Sequence, residues 1–382
     1  MKVLVAMDSF KGSLDAPSCC NAVARGFGEY AETVCVPLSD GGEGWCDCLL
    51  AAKGGKKIAV PTVDAFGKEM DGFFALLAGG EVAVVETAVA SGIVGIPKET
   101  LNPERASTYG TGVLLRAALE SGAKTVILGL GGSATTDGGM GAMSALGAKF
   151  YDENGNKLKA SGADLQKIAR LDGSELHPNL LKTKVILACD VDAPFDGEHG
   201  AAYVFGPQKG ADSEMVKRLD SGLKRMNNAV VRAFGLDLNG VKGAGAAGGL
   251  CGGLLSICNA EIRSGFEVLC SLGGFEELVQ ECDLVITGEG KTDAQTLMGK
   301  VAYRVGKLSQ KFNIPALLLS GDVLPEAKAL LENGFVKLYR LVGEDVSVVE
   351  AISRAEMIIE LRAKEMAYEF FKRDQAVPSK NT

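Results

Sequence analysis

KVLVAMDSFKGS, residues 2–13, is a short apolar run that stops at Asp8 and continues into a turn of serine, lysine and glycine. An apolar run of this length, bounded by turn residues, is typical of a strand that is buried on both faces. We expect a helix to begin near Pro17, because proline is favoured in the first helical turn. The order strand, polar turn, helix predicts one repeat of a parallel α/β sheet.

The same order follows directly along the chain. A second predicted strand at 33–38 runs into SDGGEG (39–44) and then into a helix over 45–53. Ligand-binding residues of parallel sheets lie at the carboxyl ends of the strands. Asp8 and residues 39–44 occupy that position in this prediction.

The pattern returns near the other end of the chain. It comprises a strand at 284–287, the turn GEGKTD, a helix from 294 to about 312 and a strand at 316–319. We therefore expect one Rossmann-like or flavodoxin-like parallel-sheet domain built from both termini, residues 1–68 plus 283–382.

The intervening residues have a different pattern. Short alternating runs between residues 58 and 86 favour antiparallel strand pairing. Further elements are predicted as helices over 110–121 and 213–234 and strands over 125–128 and 185–189. The sequence thus predicts an inserted mixed α+β domain at 69–282, in line with the roughly two domains expected for 382 residues.

Composition excludes several classes of function. The net charge is −8 with no block of Lys or Arg, which argues against nucleic acid or an anionic membrane as a partner. The ten cysteines form no CxxC pair and only two histidines are present, so a zinc site is not expected. We interpret the cysteines as small buried hydrophobes of a cytoplasmic protein, since no signal-peptide or membrane-spanning pattern is present.

The sequence contains five glycine-rich turns, and four of them carry acidic or basic residues. They are DSFKGS (8–13), SDGGEG (39–44), GGSATTDGG (131–139), GAGAAGG (243–249) and GEGKTDAQT (288–296). Such turns bring backbone amides and carboxylates close to a ligand, which suits phosphate and a divalent cation. The turns therefore indicate an enzyme that transfers a phosphoryl group.

These turns, together with CDV (189–191) and FGPQKGA (205–211), resemble the bacterial type I glycerate kinases in seven segments that follow the family order. The resemblance implies two domains with the active site in the cleft between them, and an ATP- and Mg²⁺-dependent kinase that acts on D-glycerate. It favours 2-phosphoglycerate over 3-phosphoglycerate as the product. The chain departs from the family at Asp192-Ala193-Pro194, where Thr-Asn-Pro is usual, and at Lys291, where arginine is expected.

We expect Asp190, Asp293 and Lys11 to be the catalytic residues. Asp190 ends a predicted strand and is the leading candidate for metal ligand or general base, with Asp192 as a second metal ligand; the alternatives are a turn cap and a solvated carboxylate. Asp293 is either a catalytic carboxylate or the N-cap of the helix predicted from residue 294. Lys11 would hold the carboxylate of glycerate or a phosphate, unless it is simply solvated.

Several further residues are candidates for substrate or nucleotide binding. They are Asp8, Ser9, Ser39, Asp40, Gly41, Gly42, Glu43, Ser133, Thr135, Asp137, Gly245, Gly288, Glu289, Gly290 and Lys291. Asp40, Glu43 and Asp137 also have a simpler interpretation as turn or helix caps. A P-loop at Lys291 is not supported, because Val285 stands where that motif requires glycine.

The competing functional class is an NAD(P)-dependent oxidoreductase. GLGGSA at 129–134 fits the pattern GxGxxA after a strand, and Asp152 follows about 20 residues later, as a ribose-binding acid would. A ligand-binding protein without enzymatic activity is the third alternative. In every case we expect small-molecule partners and a monomer or homodimer.

Overall fold

The computed structural model describes residues 1–39, 42 and 44–375. The strands, numbered along the chain, are β1 Lys2–Met7, β2 Glu32–Cys35, β3 Gly55–Val63, β4 Glu69–Leu77, β5 Val82–Glu86, β6 Thr125–Gly129, β7 Lys149–Tyr151, β8 Arg170–Asp172, β9 Lys184–Ala188, β10 Ala260–Arg263, β11 Leu284–Gly288, β12 Lys291–Thr292, β13 Ala316–Ser320, β14 Asp322–Val323 and β15 Phe335–Arg340. The α-helices are α1 Ala16–Phe27, α2 Trp45–Lys53, α3 Thr87–Ser91, α4 Tyr109–Glu120, α5 Met140–Ala145, α6 Ala201–Phe205, α7 Ser213–Phe234, α8 Leu250–Ile257, α9 Gly265–Gly273, α10 Phe275–Gln280, α11 Val301–Lys311, α12 Val348–Ser353 and α13 Ala355–Gln375.

The chain divides into two compact units. Unit 1 comprises the described parts of Met1–Ser39, Asp47–Ala52 and Leu269–Thr382, and unit 2 those of Asp40–Cys46 and Lys53–Val268. The long segment of unit 2 begins at Lys53 and ends at Val268. The domain limits at residues 69 and 282 stay a prediction.

Unit 1 contains a five-stranded sheet in the order β2-β1-β11-β13-β15, in which all neighbours are parallel. With only the five strands of this sheet numbered along the chain, the order is 2-1-3-4-5, which is the flavodoxin-like arrangement. The central strands are apolar throughout because helices cover both faces of a parallel sheet. The core includes Val3, Val5 and Ile286 from the strands, with Phe27 from α1 and Ile359 from α13.

Unit 2 contains a six-stranded mixed sheet in the order β10-β9-β6-β5-β4-β3. The four strands from β10 to β5 are parallel, and β4 and β3 continue the sheet in antiparallel fashion. The predicted mixed α/β fold class is confirmed by the two sheets. Among the described residues, no helix is both long and apolar enough to cross a membrane.

Most predicted elements are confirmed, and the clearest is α7. It spans Ser213–Phe234, as predicted, because Asp212 caps its first turn and Gly235 ends it with φ +74. The helix predicted from 294 is wrong in its first turns. A short 3₁₀ turn, Thr296–Met298, is followed by Gly299 at φ +107, and this left-handed residue delays the helix until Val301.

Candidate active site

The strand order of unit 1 reverses between β1 and β11, and ligands of open α/β sheets bind at the carboxyl ends of such strands. Asp8 and Glu289 are the residues that directly follow these two strands. Met7 lies opposite Gly288 in the sheet, and the Asp8 amide donates to the Gly288 carbonyl at 2.9 Å. The predicted turns 8–13 and 288–296 therefore lie side by side at this edge.

The turn after β1 presents a cation and hydroxyl groups. Asp8 and Ser9 are half-buried, and Asp8 Oδ1 accepts a hydrogen bond from the Ser9 amide at 2.6 Å. The turn is closed by the Phe10 amide, which donates to the Leu14 carbonyl at 2.8 Å. Lys11 is exposed and has no described partner, so its ammonium group is accessible to an anionic ligand.

Glu289 is the best-defined carboxylate of this edge. It is only 7% exposed, and its Oε1 accepts hydrogen bonds from Thr296 Oγ1 at 2.6 Å and Thr292 Oγ1 at 3.1 Å. Its backbone carbonyl accepts from Ser320 Oγ at 3.0 Å and from the Gly321 amide at 3.1 Å. No described residue donates to Oε2. Glu289 is therefore fixed in orientation and keeps one carboxylate oxygen for a ligand.

Burial raises the pKa of Glu289, against the opposing effects of the two threonine hydroxyls and Lys300. Desolvation disfavours the charged form of a carboxyl group and so makes it a stronger proton acceptor. This direction of shift is the one that a general base requires.

Asp293 shapes the turn that follows. Its Oδ1 accepts from the Gln295 amide at 2.9 Å, and its backbone carbonyl accepts from the Thr296 amide at 3.1 Å. It does not cap α11, whose N-cap residue is Lys300. Lys291 is exposed at the start of β12, which pairs with β14.

Gly321 allows the backbone at Gly290 to approach closely. A Cβ atom at Gly290 would lie 3.4 Å from the Lys11 amide, and one at Gly321 would lie 2.2 Å from the Gly290 carbonyl. The backbone between β11 and β12 is therefore packed between two neighbouring loops. Gly288 is buried in the same way, because a Cβ there would lie 1.8 Å from the Leu319 carbonyl.

Asp190 and Asp192 follow β9 in unit 2 and have different surroundings. Asp190 is exposed, and its Oδ2 accepts from the Gly265 amide at 3.1 Å, at the start of α9. Asp192 Oδ2 lies 2.8 Å from Lys242 Nζ in a surface ion pair whose side chains are 73% and 76% exposed. The additional carboxylate of this chain is thus neutralised by a lysine.

Within the described residues, no group of three or more His, Cys, Asp or Glu side chains is arranged to hold a metal ion. Mg²⁺ commonly takes one or two carboxylates and fills its remaining positions with water and substrate phosphates. A single exposed carboxylate such as Asp190 fits that donor set. The Asp192 carboxylate is already paired with the ammonium group of Lys242.

Asp137 is completely buried in the loop after β6. Its Oδ2 accepts from the Thr108 amide, the Thr108 hydroxyl and the Gly141 amide at 2.7 to 3.1 Å, and Oδ1 accepts from the Gly139 amide at 3.0 Å. Burial raises its pKa, and these hydrogen bonds oppose the shift. The geometry is that of the capping alternative, because one carboxylate joins the starts of α4 and α5.

Sequence reasoning missed Lys209, which is only 2% exposed. Its Nζ donates to Ser133 Oγ at 2.9 Å and to the Thr135 carbonyl at 2.6 Å. Burial lowers its pKa to about 7, and the charge of Asp137 opposes the shift. The sequence contains a signal for this residue, because Lys209 is the one charged residue of the segment FGPQKGA.

Sequence reasoning also missed Glu86, which ends β5 and is 3% exposed. Its carboxylate accepts from the Gly44 amide at 3.2 Å and from the Cys46 amide, so it caps the start of α2. The turn 39–44 immediately precedes that helix. Ser39 is buried and Gly42 is half-buried, while the candidates Asp40, Gly41 and Glu43 lie outside the described residues.

The glycine-rich loop 243–249 packs backbone against backbone. The Gly245 amide donates to the Ala193 carbonyl at 3.0 Å, and the Gly248 carbonyl accepts from the Gly138 amide at 3.0 Å. A Cβ at Gly248 would lie 2.1 Å from the Thr135 carbonyl. Within the described chain the Gly245 amide is therefore already used in a protein contact.

The geometry after β6 does not match a dinucleotide-binding unit. The helix that follows the GxGxxA pattern, α5, has only six residues. Asp152 lies in an exposed turn, where its Oδ1 accepts from the Asn154 and Asn156 amides at 2.9 and 2.8 Å. It is not at the carboxyl end of a strand of either large sheet, where a ribose-binding acid would be needed.

Comparison with known proteins gives a consistent set of matches. The model of the glycerate kinase family matches residues 3–370. A glycerate kinase of Bacillus cereus is 39% identical over 96% of this chain and 97% of its own length, and a glycerate 2-kinase of Escherichia coli is 37% identical over 93% and 94%. A crystal structure assigned as glycerate kinase 2 from Salmonella typhimurium superposes with a TM-score of 0.85 at 35% identity, covering 98% of this chain and 99% of that one.

Proposed function

Because this chain belongs to the glycerate kinase family and phosphorylates glycerate, we propose that it transfers the γ-phosphoryl group of ATP to the 2-hydroxyl of D-glycerate. The choice of the 2-hydroxyl is supported by the name of the Escherichia coli relative and by the seven sequence segments. We assign the chain to the bacterial type I subgroup on the same segments.

The main support for the mechanism is that the turns after β1 and β11 lie side by side at the carboxyl edge of the sheet. Phosphoryl transfer requires positioned reactants, neutralised phosphate charge and a carboxylate that orients or deprotonates the attacking hydroxyl. The described residues of unit 1 supply an accessible cation in Lys11 and oriented carboxylates in Glu289 and Asp293. Lys11 would bind the glycerate carboxylate or a phosphate oxygen.

The bond changes follow from this arrangement. The glycerate oxygen forms a bond to the γ-phosphorus, and the bond from that phosphorus to the bridging oxygen breaks to release ADP. The hydroxyl proton passes to a carboxylate. Glu289 and Asp293 each keep an oxygen to which no described residue donates, and the raised pKa of Glu289 favours it as the acceptor.

A bound Mg²⁺ would supply positive charge that offsets the negative charge of the ATP phosphates. Asp190 is our candidate protein ligand for this ion, because it is exposed at the end of a parallel strand. Asp192 is the second candidate, and its surface ion pair with Lys242 must open before it can bind a metal.

We further propose that the protein acts in the cytoplasm on small molecules alone, as a monomer or homodimer. The net charge of −8 without a basic block supports the absence of nucleic-acid and membrane partners.

A coupled assay of ADP release tests the activity, with D-glycerate, L-glycerate and no acceptor as parallel samples. We expect release that depends on D-glycerate and on Mg²⁺, and no acceptor-dependent release at millimolar substrate would overturn the proposal. Proton-coupled phosphorus NMR of the product then separates the two positions. The 2-phosphate ester is coupled to one proton and the 3-phosphate ester to two, so a spectrum of the latter kind would reassign the hydroxyl.

A further inference from the structure

Lys209 is an enclosed lysine of unit 2 that the mechanism above leaves without a role. Its described polar contacts are two uncharged oxygens, Ser133 Oγ at 2.9 Å and the Thr135 carbonyl at 2.6 Å. Burying an ammonium group without an ion-pair partner costs several kcal/mol. Two neutral hydrogen bonds offset only part of that cost, so the cation is held here at the expense of stability.

The direction of the hydrogen bonds at Ser133 follows from the chemistry of the ammonium group. When it is protonated, Lys209 has three N–H donors and no acceptor, so in that state Ser133 Oγ accepts from it. The serine proton must then point toward another acceptor. No described residue accepts from this hydroxyl, although Ser133 is only 7% exposed.

The position of Ser133 in the sheet indicates which kind of acceptor its proton can reach. It follows β6 after Gly131 and Gly132, at the carboxyl edge of the four parallel strands of unit 2. This is the edge at which parallel sheets bind ligands. The loop is held in place by Asp137, whose four hydrogen bonds join it to α4 and α5.

The same loop contains further unsatisfied groups. The hydroxyls of Thr135 and Thr136 are enclosed and have no hydrogen-bond partner in the structure. Buried hydroxyl groups are normally paired, and an unpaired one is destabilising. Ser133, Thr135 and Thr136 thus leave three hydroxyl protons of this loop without an acceptor among the described residues.

We propose that Lys209 is a positioning residue that polarises the Ser133 hydroxyl and directs its proton to an anionic oxygen of a substrate. This inference rests on the proposed kinase function. The oxygen belongs either to the glycerate carboxylate or to an ATP phosphate, which share the same acceptor chemistry. A hydrogen bond from a hydroxyl that itself accepts from a cation to an anionic oxygen is stronger than a neutral one.

The test is a double-mutant cycle with Lys209→Met, Ser133→Ala and the combined variant, assayed by ADP release. We expect each single variant to lower kcat/KM for one substrate by about tenfold or more, the loss typical of a hydrogen bond to a charged group. The combined variant should be no worse than Ser133→Ala, because Lys209 acts through that hydroxyl. Ser133→Thr, which keeps the hydroxyl, should restore most of the activity.

The substrate whose kinetics change identifies the acceptor. A rise in the KM for glycerate assigns the carboxylate, and a rise in the KM for ATP assigns the phosphate. Lys217→Met is the matched control, because Lys217 lies on the exposed side of α7, where its ammonium group pairs with Glu214 at 2.7 Å. It should leave both constants unchanged.

Three outcomes overturn the inference. They are full activity of Ser133→Ala toward both substrates, unchanged kcat/KM in a folded Lys209→Met variant, and losses that multiply in the combined variant. Circular dichroism establishes whether Lys209→Met folds, and the Ser133 variants decide the matter if it does not. Absence of glycerate-dependent ADP release in the unmodified protein would instead overturn the proposed function.

Discussion

At the scale of single residues, Glu289 combines a buried, hydrogen-bonded side chain with the proposed role of proton acceptor. The substitution Glu289→Gln keeps the side-chain shape and an oxygen for the hydroxyls of Thr292 and Thr296, but it removes the proton acceptor. We expect kcat to fall by about a hundredfold or more with little change in KM, which is the size of effect typical of general base catalysis. Steady-state ADP release measures both constants.

The pH profile gives a second measure of the same residue. Burial raises the pKa of Glu289 above its ordinary value of 4.5, so the base becomes protonated earlier as the pH falls. The acid limb of the rate profile should therefore lie above pH 4.5, and Glu289→Gln should abolish it. Glu276→Gln, at a half-exposed carboxylate paired with Lys311, serves as the control. A near-normal kcat for Glu289→Gln would leave this carboxylate with a purely structural role.

Asp190, unlike the buried Glu289, is exposed to solvent, and it follows the end of β9. Asp190→Asn retains an oxygen that can accept from the Gly265 amide, so the fold should survive. We expect kcat to fall by at least a hundredfold and the Mg²⁺ requirement to rise, as measured by titrating Mg²⁺ at fixed ATP. Asp192→Ala should be milder, since it removes a surface ion pair worth less than about 1 kcal/mol. Turnover near that of the unmodified protein would reduce Asp190 to a turn residue.

At the scale of elements, the glycines of unit 2 pack one backbone against another. A Cβ at Gly253, in α8, would lie 2.3 Å from the carbonyl of Gly138 in the loop before α5. Gly253→Ala should lower the free energy of unfolding by about 1–3 kcal/mol through overpacking, although alanine favours helix formation. Urea denaturation measures the change.

Gly240 provides the matched control for this prediction. Its Cβ would meet no atom within 4 Å, and its φ is not in the left-handed region. Gly240→Ala should therefore be neutral or slightly stabilising. Equal effects of the two substitutions would show that the contact of Gly253 with Gly138 is relaxed in solution.

The sequence predicts elements well where the signal is local. The apolar face of α7 and its caps at Asp212 and Gly235 lie within one stretch, and its limits were predicted to the residue. The role of Gly299 depends on its φ of +107, which a glycine in a helical pattern does not reveal, so the helix predicted from 294 began too early.

The candidate site shows the same limit. Asp8 and Glu289 follow strands that the apolar pattern predicts, and Asp8 lies at the carboxyl edge of the sheet, as expected. That Glu289 lies beside it depends on the pairing of β1 with β11, which the sequence pattern does not show. The partners of Lys209 lie 74 and 76 residues away in the sequence, and those of Glu86 lie 40 and 42 residues away. No local pattern encodes contacts of that range. The sequence does not distinguish a ligand-binding role of Asp137 from a capping role. The hydrogen bonds from Thr108, 29 residues away, favour the capping role.

At the scale of the whole molecule, the ten thiols report on the integrity of both units. Cys35 is exposed, Cys258 and Cys270 are half-buried, and the remaining seven are buried. Burial raises the pKa of Cys19 and Cys258 to about 12, which suppresses the reactive thiolate. Burial also raises the pKa of Cys35, but its side chain is exposed. A disulfide reagent should therefore label Cys35 first and the buried thiols only after unfolding in urea.

Cys35→Ser should remove the fast phase of this labelling and leave the slow phase unchanged. Spectrophotometric counting of released thiolate at pH 8, in native buffer and in urea, measures both phases. Several thiols reacting as rapidly as Cys35 in native buffer would contradict the buried placement of the cysteines.

The register of β1 against β11 has a consequence for biosynthesis. Val3 pairs with Leu284, so β1 waits during translation for a neighbour made about 280 residues later. At 5–20 residues per second this delay lasts about 14 to 56 seconds, during which β1 and α1 lack most of their sheet. Unit 2, whose sheet is complete at Arg263, can form first in translation. The apolar side chains that β1 and α1 bury against β11 thus lack that partner until β11 has been made.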